Sequence, residues 1–495
     1  VRVPPLLACL LLLTGCVTGV PAASQPPEPR RPNIVMIMAD DLDTALLPYL
    51  PKTAEHVTAR GTAFDRYYVN LAWCCPSRAT TLTGRYAHNT GVWSNNPPNG
   101  GFREFYDERG ERSSLAPRLR AAGYRTGLFG KYLNGYPEQV AGVPRTYVPP
   151  GWDTWVSPVA GHPFRGFDYT LNVDGALVHD PPSRTTYLTD VLAARTRAFV
   201  TDRDERPFFA LVTPVVPHPP AVPAPRHAHL YPGLRAPRSP AYGAAIPHAP
   251  AEVRRLPRVT AAESARWDAL FRARARSVAA LDDLVERVVA ALRDTGRLDD
   301  TYVVVTSDNG FHLGERRMPP GKNTGYETDV RVPFLVRGPG VPAGRRVSAL
   351  AGNTDLAPTF LDLAGAPVPP GTDGRSLRPL LTGPAPLAWR RAFLLEHGPA
   401  RNTHPATPST PHRPYTPDTR PNFYLPDFTG IRTERHVYLS YATGERELYD
   451  TTTDPHQLDN LAGTGDPSEP ALAHWLAALR HCTGATCRTT ENRAP

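Results

Sequence analysis

The stretch Pro32-Asn33-Ile34-Val35-Met36-Ile37-Met38-Ala39-Asp40-Asp41 decides the fold. From Ile34 to Met38 every position is apolar, with no alternation of polar and apolar residues. A strand covered on both faces reads this way, and such strands belong to parallel sheets sandwiched between helices. Comparable short runs recur at Tyr124–Phe129, Phe208–Val212, Tyr302–Thr306 and Val332–Val336. Helical patterns lie between them. The clearest is Ser277–Leu292, where Val278, Leu281, Leu284, Val285, Val288, Val289 and Leu292 form one apolar stripe. This alternation predicts an α/β sandwich around a large, mostly parallel sheet flanked by helices. The proline-rich stretch Pro223–Pro257 reads as an irregular surface loop.

After about Pro384 the texture changes. Gly398–Pro426 is polar and proline-rich. Thr429–Thr433, His436–Tyr441 and Glu447–Asp450 then read as short antiparallel strands, with a turn at Ala442-Thr443-Gly444. A helix over roughly Glu469–Arg480 closes the chain. The expected division is a large domain over 32–384 and a smaller C-terminal subdomain over 385–495.

The 495 residues suffice for such a pair of units, and 41% hydrophobic with 21% charged residues describes a globular chain. The 58 prolines and 38 glycines imply many loops. A net charge of +8 suits an anionic ligand. No basic run interleaved with aromatics is present, so nucleic acid is not the expected partner. Only Lys52, Lys131 and Lys322 are lysine; arginine serves everywhere else. A compact ammonium that can give up a proton is not replaceable by a guanidinium, which draws attention to Lys131 and Lys322.

Arg2 and the apolar stretch Leu6–Leu13 read as an export signal over 1–23, too short to span a bilayer. Leu13-Thr14-Gly15-Cys16 resembles a bacterial lipobox, in which Cys16 is lipidated; ordinary cleavage near Val20-Pro21-Ala22-Ala23 is the alternative. A tether over 24–31 follows. The expected location is therefore a bacterial cell surface, reached through a lipid anchor, or the secreted medium. Cys9 and Cys16 belong to this segment, and Cys482 and Cys487 are expected to pair across a short loop.

Polar groups follow the predicted strands at four places: Asp40-Asp41, Lys131, His218 and Asp308-Asn309. In open parallel sheets ligands bind at the carboxyl ends of the strands. Asp40, Asp41, Asp308 and Asn309 make a hard-oxygen set, suited to Ca²⁺ or Mg²⁺ rather than zinc. Cys74-Cys75-Pro76-Ser77-Arg78, followed by Thr83-Gly84-Arg85, supplies the remaining signal.

That run has the C-x-P-S-R form of the sulfatase family, and the chain resembles this family over most of its length. Met38–Asp41, Gly130–Asn134, Pro217-His218-Pro219, Ser307–Gly310, Gly321-Lys322 and Tyr326-Glu327 fall in family order. Cys74–Arg78, Tyr86–Asn89, Lys131–Asn134, Pro149–Trp152 and Tyr187–Asp190 resemble the branch of N-acetylglucosamine-6-sulfatases and heparan-sulfate endosulfatases.

The resemblance implies an alkaline-phosphatase-like fold and hydrolysis of a sulfate ester of a sugar or related molecule. It implies one divalent cation, commonly calcium, on Asp40, Asp41, Asp308 and Asn309. It also implies Cys74 converted to formylglycine by a formylglycine-generating enzyme that reads Pro76 and Ser77. The aldehyde hydrate attacks sulfur, Arg78 and Lys131 stabilise the hydrate and the developing anion, and His218 or Lys322 protonates the leaving alcohol. Many arylsulfatases carry a histidine where this chain has Leu133, so a contact to the formylglycine hydroxyl is absent or comes from elsewhere, with His88 and His312 as candidates. Cys75 is expected to be a buried neighbour. Two other readings stay open: a phosphonate or phosphate ester hydrolase on the same fold, and an inactive glycan-binding surface lipoprotein.

Overall fold

The strand Asn33–Ala39 is the centre of the molecule, and its side chains feed two cores. Ile34, Met36 and Met38 join an apolar cluster on one face of the sheet, while Val35, Ile37 and Ala39 join another on the opposite face. The strand therefore has no polar side, because successive residues point to opposite faces and both faces are covered.

The computed structural model describes residues 1–2, 31–180, 186–384, 386, 388–398, 423 and 425–493. Cys9, Cys16, the signal-like stretch, the tether up to Arg30 and most of Gly398–Pro426 lie outside the described residues. Residues 31–495 form one compact unit.

Ten strands make the large sheet, in the spatial order Arg345–Val347, Thr62–Phe64, Phe334–Arg337, Thr301–Ser307, Asn33–Ala39, Phe208–Thr213, Arg125–Gly130, Thr154–Gly161, Tyr169–Val173 and Ala176–His179. The five strands from Thr301–Ser307 to Thr154–Gly161 are mutually parallel. Phe334–Arg337 departs from expectation by pairing antiparallel to both of its neighbours. Its apolar run reports burial, which does not reveal strand direction.

One face carries the helices Leu188–Val200 and Ala261–Asp294. The second is much longer than the apolar stripe that announced it. Thr260 caps it by accepting from the Glu263 amide, and Glu263 reciprocates at the Thr260 amide. The other face carries the helix Cys74–Thr83 and a four-stranded antiparallel sheet. That sheet runs Ala392–His397, Phe428–Thr433, His436–Tyr441, Arg446–Asp450. Its first strand was not foreseen, because it precedes the proline-rich segment rather than following it.

The helix Glu469–Leu479 and a further helix, Ala485–Asn492, lie beyond, joined across the Cys482–Cys487 disulfide. The Pro223–Pro257 stretch is more anchored than a surface loop: Ile246, Ala249, Val253 and Leu256 are buried in the core. No helix of the described residues is long and apolar enough to cross a membrane.

Candidate active site

Four strand ends meet on one edge. The Asp40 amide donates to the Val216 carbonyl, the Lys131 amide to Thr213, and the Asp308 amide to Ala39, at 3.2, 2.9 and 3.1 Å. Each bond ties the residue just past one strand to the end of the next, so the side chains they carry converge. Gly130 makes this possible before Lys131. Its φ is +124°, and a Cβ there would sit 2.1 Å from the Thr213 carbonyl oxygen.

Asp41 also takes a left-handed backbone, at φ 67°. Aspartate tolerates that region better than most residues. The buried Arg274, reaching from the long helix, donates to the Asp41 carbonyl and to Asp43 Oδ2, and so fixes the turn.

Cys74 opens the helix Cys74–Thr83, and all ten residues of that helix are buried. Pro76 is tolerated there because first-turn amides have no partner within the helix. Ser77 Oγ accepts from Asn353 Nδ2 at 3.1 Å, and the Cys75 amide donates to Asn95 Oδ1 at 2.8 Å. Pro76 and Ser77 thus lie in a helical first turn rather than a loop. Cys75 is a free thiol packed in the core.

The Cys74 Sγ lies 3.4 Å from Asp40 Oδ1, and Lys322 Nζ donates to it at 2.8 Å. Lys322 also bonds Asp41 Oδ1, and Lys131 Nζ reaches Asp40 Oδ2 at 2.8 Å. Arg78 donates from Nε to Asp308 Oδ2 at 2.8 Å and from Nη1 to the Lys131 carbonyl at 2.7 Å. Its Nη2 is buried without a hydrogen bond, 3.9 Å from Asp40 Oδ2. His218 donates from Nδ1 to the Pro219 carbonyl at 2.6 Å, because a carbonyl can only accept. Its Nε2 therefore faces Asp41 Oδ2, at 3.7 Å.

The charges are closely matched. Burial alone would raise the Asp40 carboxyl, but Lys131, His218 and Arg78 outweigh it and hold Asp40 well below the usual range. Burial against Lys322 ends the same way at Asp41. Asp308 goes up, because burial and the charge of Asp40 outweigh Arg78. Burial pushes His218 down, despite Asp41 and Asp40. The Cys74 thiol is pushed up to about 12, by burial first and Asp40 second. A helix N-terminus ordinarily favours a thiolate, but desolvation wins here, so the unmodified cysteine is a poor nucleophile.

Asp40, Asp41, Cys74 and His218 bring one ligand atom each within 4.8 Å of one another. Asp308 and Asn309 join through Asp41: Asp308 Oδ1 accepts its amide at 3.1 Å, and Asn309 Nδ2 donates to its Oδ1 at 2.7 Å. Asn309 Oδ1 is buried with no hydrogen-bond partner. Such an orphan acceptor costs about 1–3 kcal/mol unless something binds it. With the carboxylates beside it, the donor set fits a hard divalent cation.

The two other histidines stand apart from Cys74. His88 engages Glu396 Oε1 through Nδ1 and the Cys482 carbonyl through Nε2, at 2.8 and 2.7 Å, so it serves packing between the motif region and the chain's end. His312 is buried with Nδ1 on Asp329, and its backbone pairs with Gly321, next to Lys322. It supports the lysine segment and makes no bond to Cys74 among the described residues. Arg274 and Asp329 carry no local sequence signal; Asn95 and Phe164 fall in Asn95–Glu104 and Ala160–Asp168, two stretches that, with Gly398–Pro426, are expected from sequence to carry specificity.

The Sulfatase family model matches residues 32–366. The chain belongs to the sulfatase family. It is 35% identical over 501 residues to human N-acetylglucosamine-6-sulfatase, covering 97% of this chain and 89% of that one. It is 36% identical over 389 residues to the extracellular sulfatase SULF-1 homolog of Drosophila melanogaster, covering 76% of this chain and 34% of that one. Among solved structures, a chain in complex with its substrate D-glucosamine-2-N,6-O-disulfate superposes with a TM-score of 0.75 at 24% identity, over 94% of this sulfatase and 99% of that chain. The phosphonate monoester hydrolase of Agrobacterium radiobacter shares the fold with a TM-score of 0.68 at 24% identity, over 91% and 95% of the two chains. This sulfatase is thus a sulfuric ester hydrolase on an alkaline-phosphatase-like fold. Its family implies a metal and a formylglycine, and Asp40, Asp41, Cys74 and His218 offer a possible metal site.

Proposed function

We propose that this sulfatase removes sulfate from the 6-position of a glucosamine unit, with Cys74 as the formylglycine nucleophile and Ca²⁺ on Asp40, Asp41, Asp308 and Asn309. One observation carries the reading: the Cys74 side chain sits at a helix N-terminus with Lys322 Nζ 2.8 Å away and Asp40 beside it. The relatives named N-acetylglucosamine-6-sulfatase support the substrate class. Mg²⁺ would suit the same oxygens but demands stricter octahedral geometry.

A bound cation on these residues would polarise a sulfate oxygen, and a hydrated aldehyde at residue 74 would supply an oxygen nucleophile together with a second hydroxyl. The protein's own groups do the rest. The helix N-terminus and Arg78, whose Nη2 is buried without a hydrogen bond, would favour negative charge at residue 74. Lys131, held by Asp40, orients that charge. Lys322 and His218 Nε2 face the sulfate and its bridging oxygen, and one of them protonates the departing alcohol. Since Cys74 to Arg78 are wholly buried, the modifying enzyme acts on Cys74 before the chain folds. Export through the signal-like stretch, with lipidation at Cys16, belongs to the same reading, as does the division at 384/385.

Peptide mass spectrometry on the active enzyme tests the nucleophile. Residue 74 should be lighter than cysteine by the change from thiol to aldehyde, and an intact thiol in active protein would overturn the mechanism. Chelation should abolish turnover reversibly, with Ca²⁺ restoring it. Glucosamine 6-sulfate, an aryl sulfate and a phosphonate ester assayed together separate the sugar sulfatase from the phosphonate reading.

A further inference from the structure

The catalytic groups grow more exposed in one direction. Cys74 is 1% exposed, and the side chains of Lys131, Lys322 and His218 are 7%, 11% and 24% exposed. The site therefore opens on the His218 side, and whatever is attached to the sulfate must lie there. Phe164 stands at that opening. Its ring centroid is 4.5 Å from that of His218, at a 42° tilt, and Lys131 Nζ lies 5.3 Å from its centre. Among the described residues no other aromatic ring packs on these two groups.

The ring is held by a rigid hairpin tip, between the strands Thr154–Gly161 and Tyr169–Val173. The His162 amide donates to the Asp168 carbonyl at 2.6 Å, and the Arg165 amide to His162 at 2.8 Å. Gly166 has φ +77°, and a Cβ there would meet the Tyr187 ring at 2.3 Å. The Leu188 amide donates to the Gly166 carbonyl at 2.8 Å. Tyr187 is itself buried, against Phe167, with its hydroxyl on the Val222 carbonyl. A pre-positioned aromatic wall beside charged groups is how sugar sites combine an apolar surface with a few polar anchors.

We infer that Phe164 is a specificity-determining residue of this sulfatase, forming the wall against which the apolar face of the sugar ring packs while its sulfate enters toward Cys74. This rests on the sugar-sulfatase reading above. It assigns the two halves of the substrate to different residues: sulfate to the lysines and Arg78, sugar to Phe164.

The two reaction products separate these halves. Inhibition of aryl sulfate hydrolysis is measured with inorganic sulfate and, separately, with glucosamine, for the wild type, Phe164→Ala and Phe164→Tyr. In Phe164→Ala the inhibition constant for the sugar should rise about tenfold, while that for sulfate stays within twofold. Phe164→Tyr, which keeps the ring, should restore sugar inhibition. KM for glucosamine 6-sulfate should rise with the sugar constant, and kcat should change little. An equal rise for sulfate and sugar overturns the assignment, because Phe164 would then merely hold Lys131 and His218. No change in either also overturns it. If Phe164→Ala does not fold, Phe164→Leu keeps the bulk and loses the ring face, and the same comparison decides. Wild-type enzyme that cleaves the aryl sulfate but not glucosamine 6-sulfate overturns the substrate reading, whereas the sugar inhibition constants still report on Phe164.

Discussion

Two regions of this sulfatase bury carboxylates completely, and they stabilise them by different means. At the catalytic edge Asp40 and Asp41 face ammonium and guanidinium groups, and both stay below the ordinary carboxylate range. On the last strand of the small sheet Glu447 instead accepts from three tyrosine hydroxyls, of Tyr326, Tyr441 and Tyr449, at 2.8, 2.6 and 2.6 Å. Burial outweighs those bonds and raises its carboxyl. Glu111 repeats the second pattern: Tyr147 and Tyr132 donate to it, yet burial pushes it up to about 7. Neutral donors satisfy a buried carboxyl without keeping it charged, whereas the several cations around Asp40 and Asp41 do both; Asp308, bonded to Arg78 but close to Asp40, still goes up. Under the proposed function, Asp40 and Asp41 would offer ionised oxygens to a cation, and the ammonium and guanidinium groups facing them would offer positive charge to an anionic substrate; the tyrosine-held carboxyls lie in the packed interior.

The largest effect tests the catalytic side. Cys74→Ser should lose about 10³-fold or more in turnover while keeping its fold and its affinity for the divalent cation. Sulfate release near the wild-type rate would point to another nucleophile.

Arg78→Met should cost about 3–5 kcal/mol in urea unfolding, because Asp308 and Asp40 lose a buried partner. A loss below about 1 kcal/mol would mean that the charges at this edge are not mutually dependent.

Glu111 tests the tyrosine side through pH. Its folded pKa lies above its unfolded one, so the unfolded chain releases this proton first and stability falls as pH rises from about 4.5 to about 7. Glu111→Gln should remove that fall. The stability difference between the variant and wild type should therefore grow by about 3 kcal/mol across this window and then level off. A difference that is flat with pH would break the contrast drawn above.

The smallest effect is Tyr449→Phe, which removes one of three donors to Glu447. It should cost about 1 kcal/mol by thermal unfolding and leave kcat unchanged. A large fall in kcat would show that the small sheet acts on the catalytic edge.

Much of the site was legible in the chain. Apolar runs marked the strands, and the residue after each run necessarily falls at a strand's carboxyl end. Asp40, Lys131, His218 and Asp308 were therefore placed by local pattern, and Cys74 by its motif. The supports were not legible, because they arise from contacts distant in sequence. Arg274 reaches Asp43 across 231 residues, and Lys322 reaches Asp41 across 281. His88 resembled a catalytic candidate until its partners, Glu396 and Cys482, came from the other end of the chain. Phe164 lies in Ala160–Asp168, a stretch legible as a specificity loop, but nothing in that stretch singles out the one ring that reaches His218 and Lys131.

By itself the sequence determined the parallel sheet, the cysteine motif at Cys74 and the acidic strand ends, since burial on both faces and strand-end position are local properties of the chain. Only the tertiary structure decided which cation answers which carboxylate, where the site opens and which histidine faces it. Those outcomes depend on distances of a few ångströms between segments hundreds of residues apart, and on how completely water is excluded where they meet.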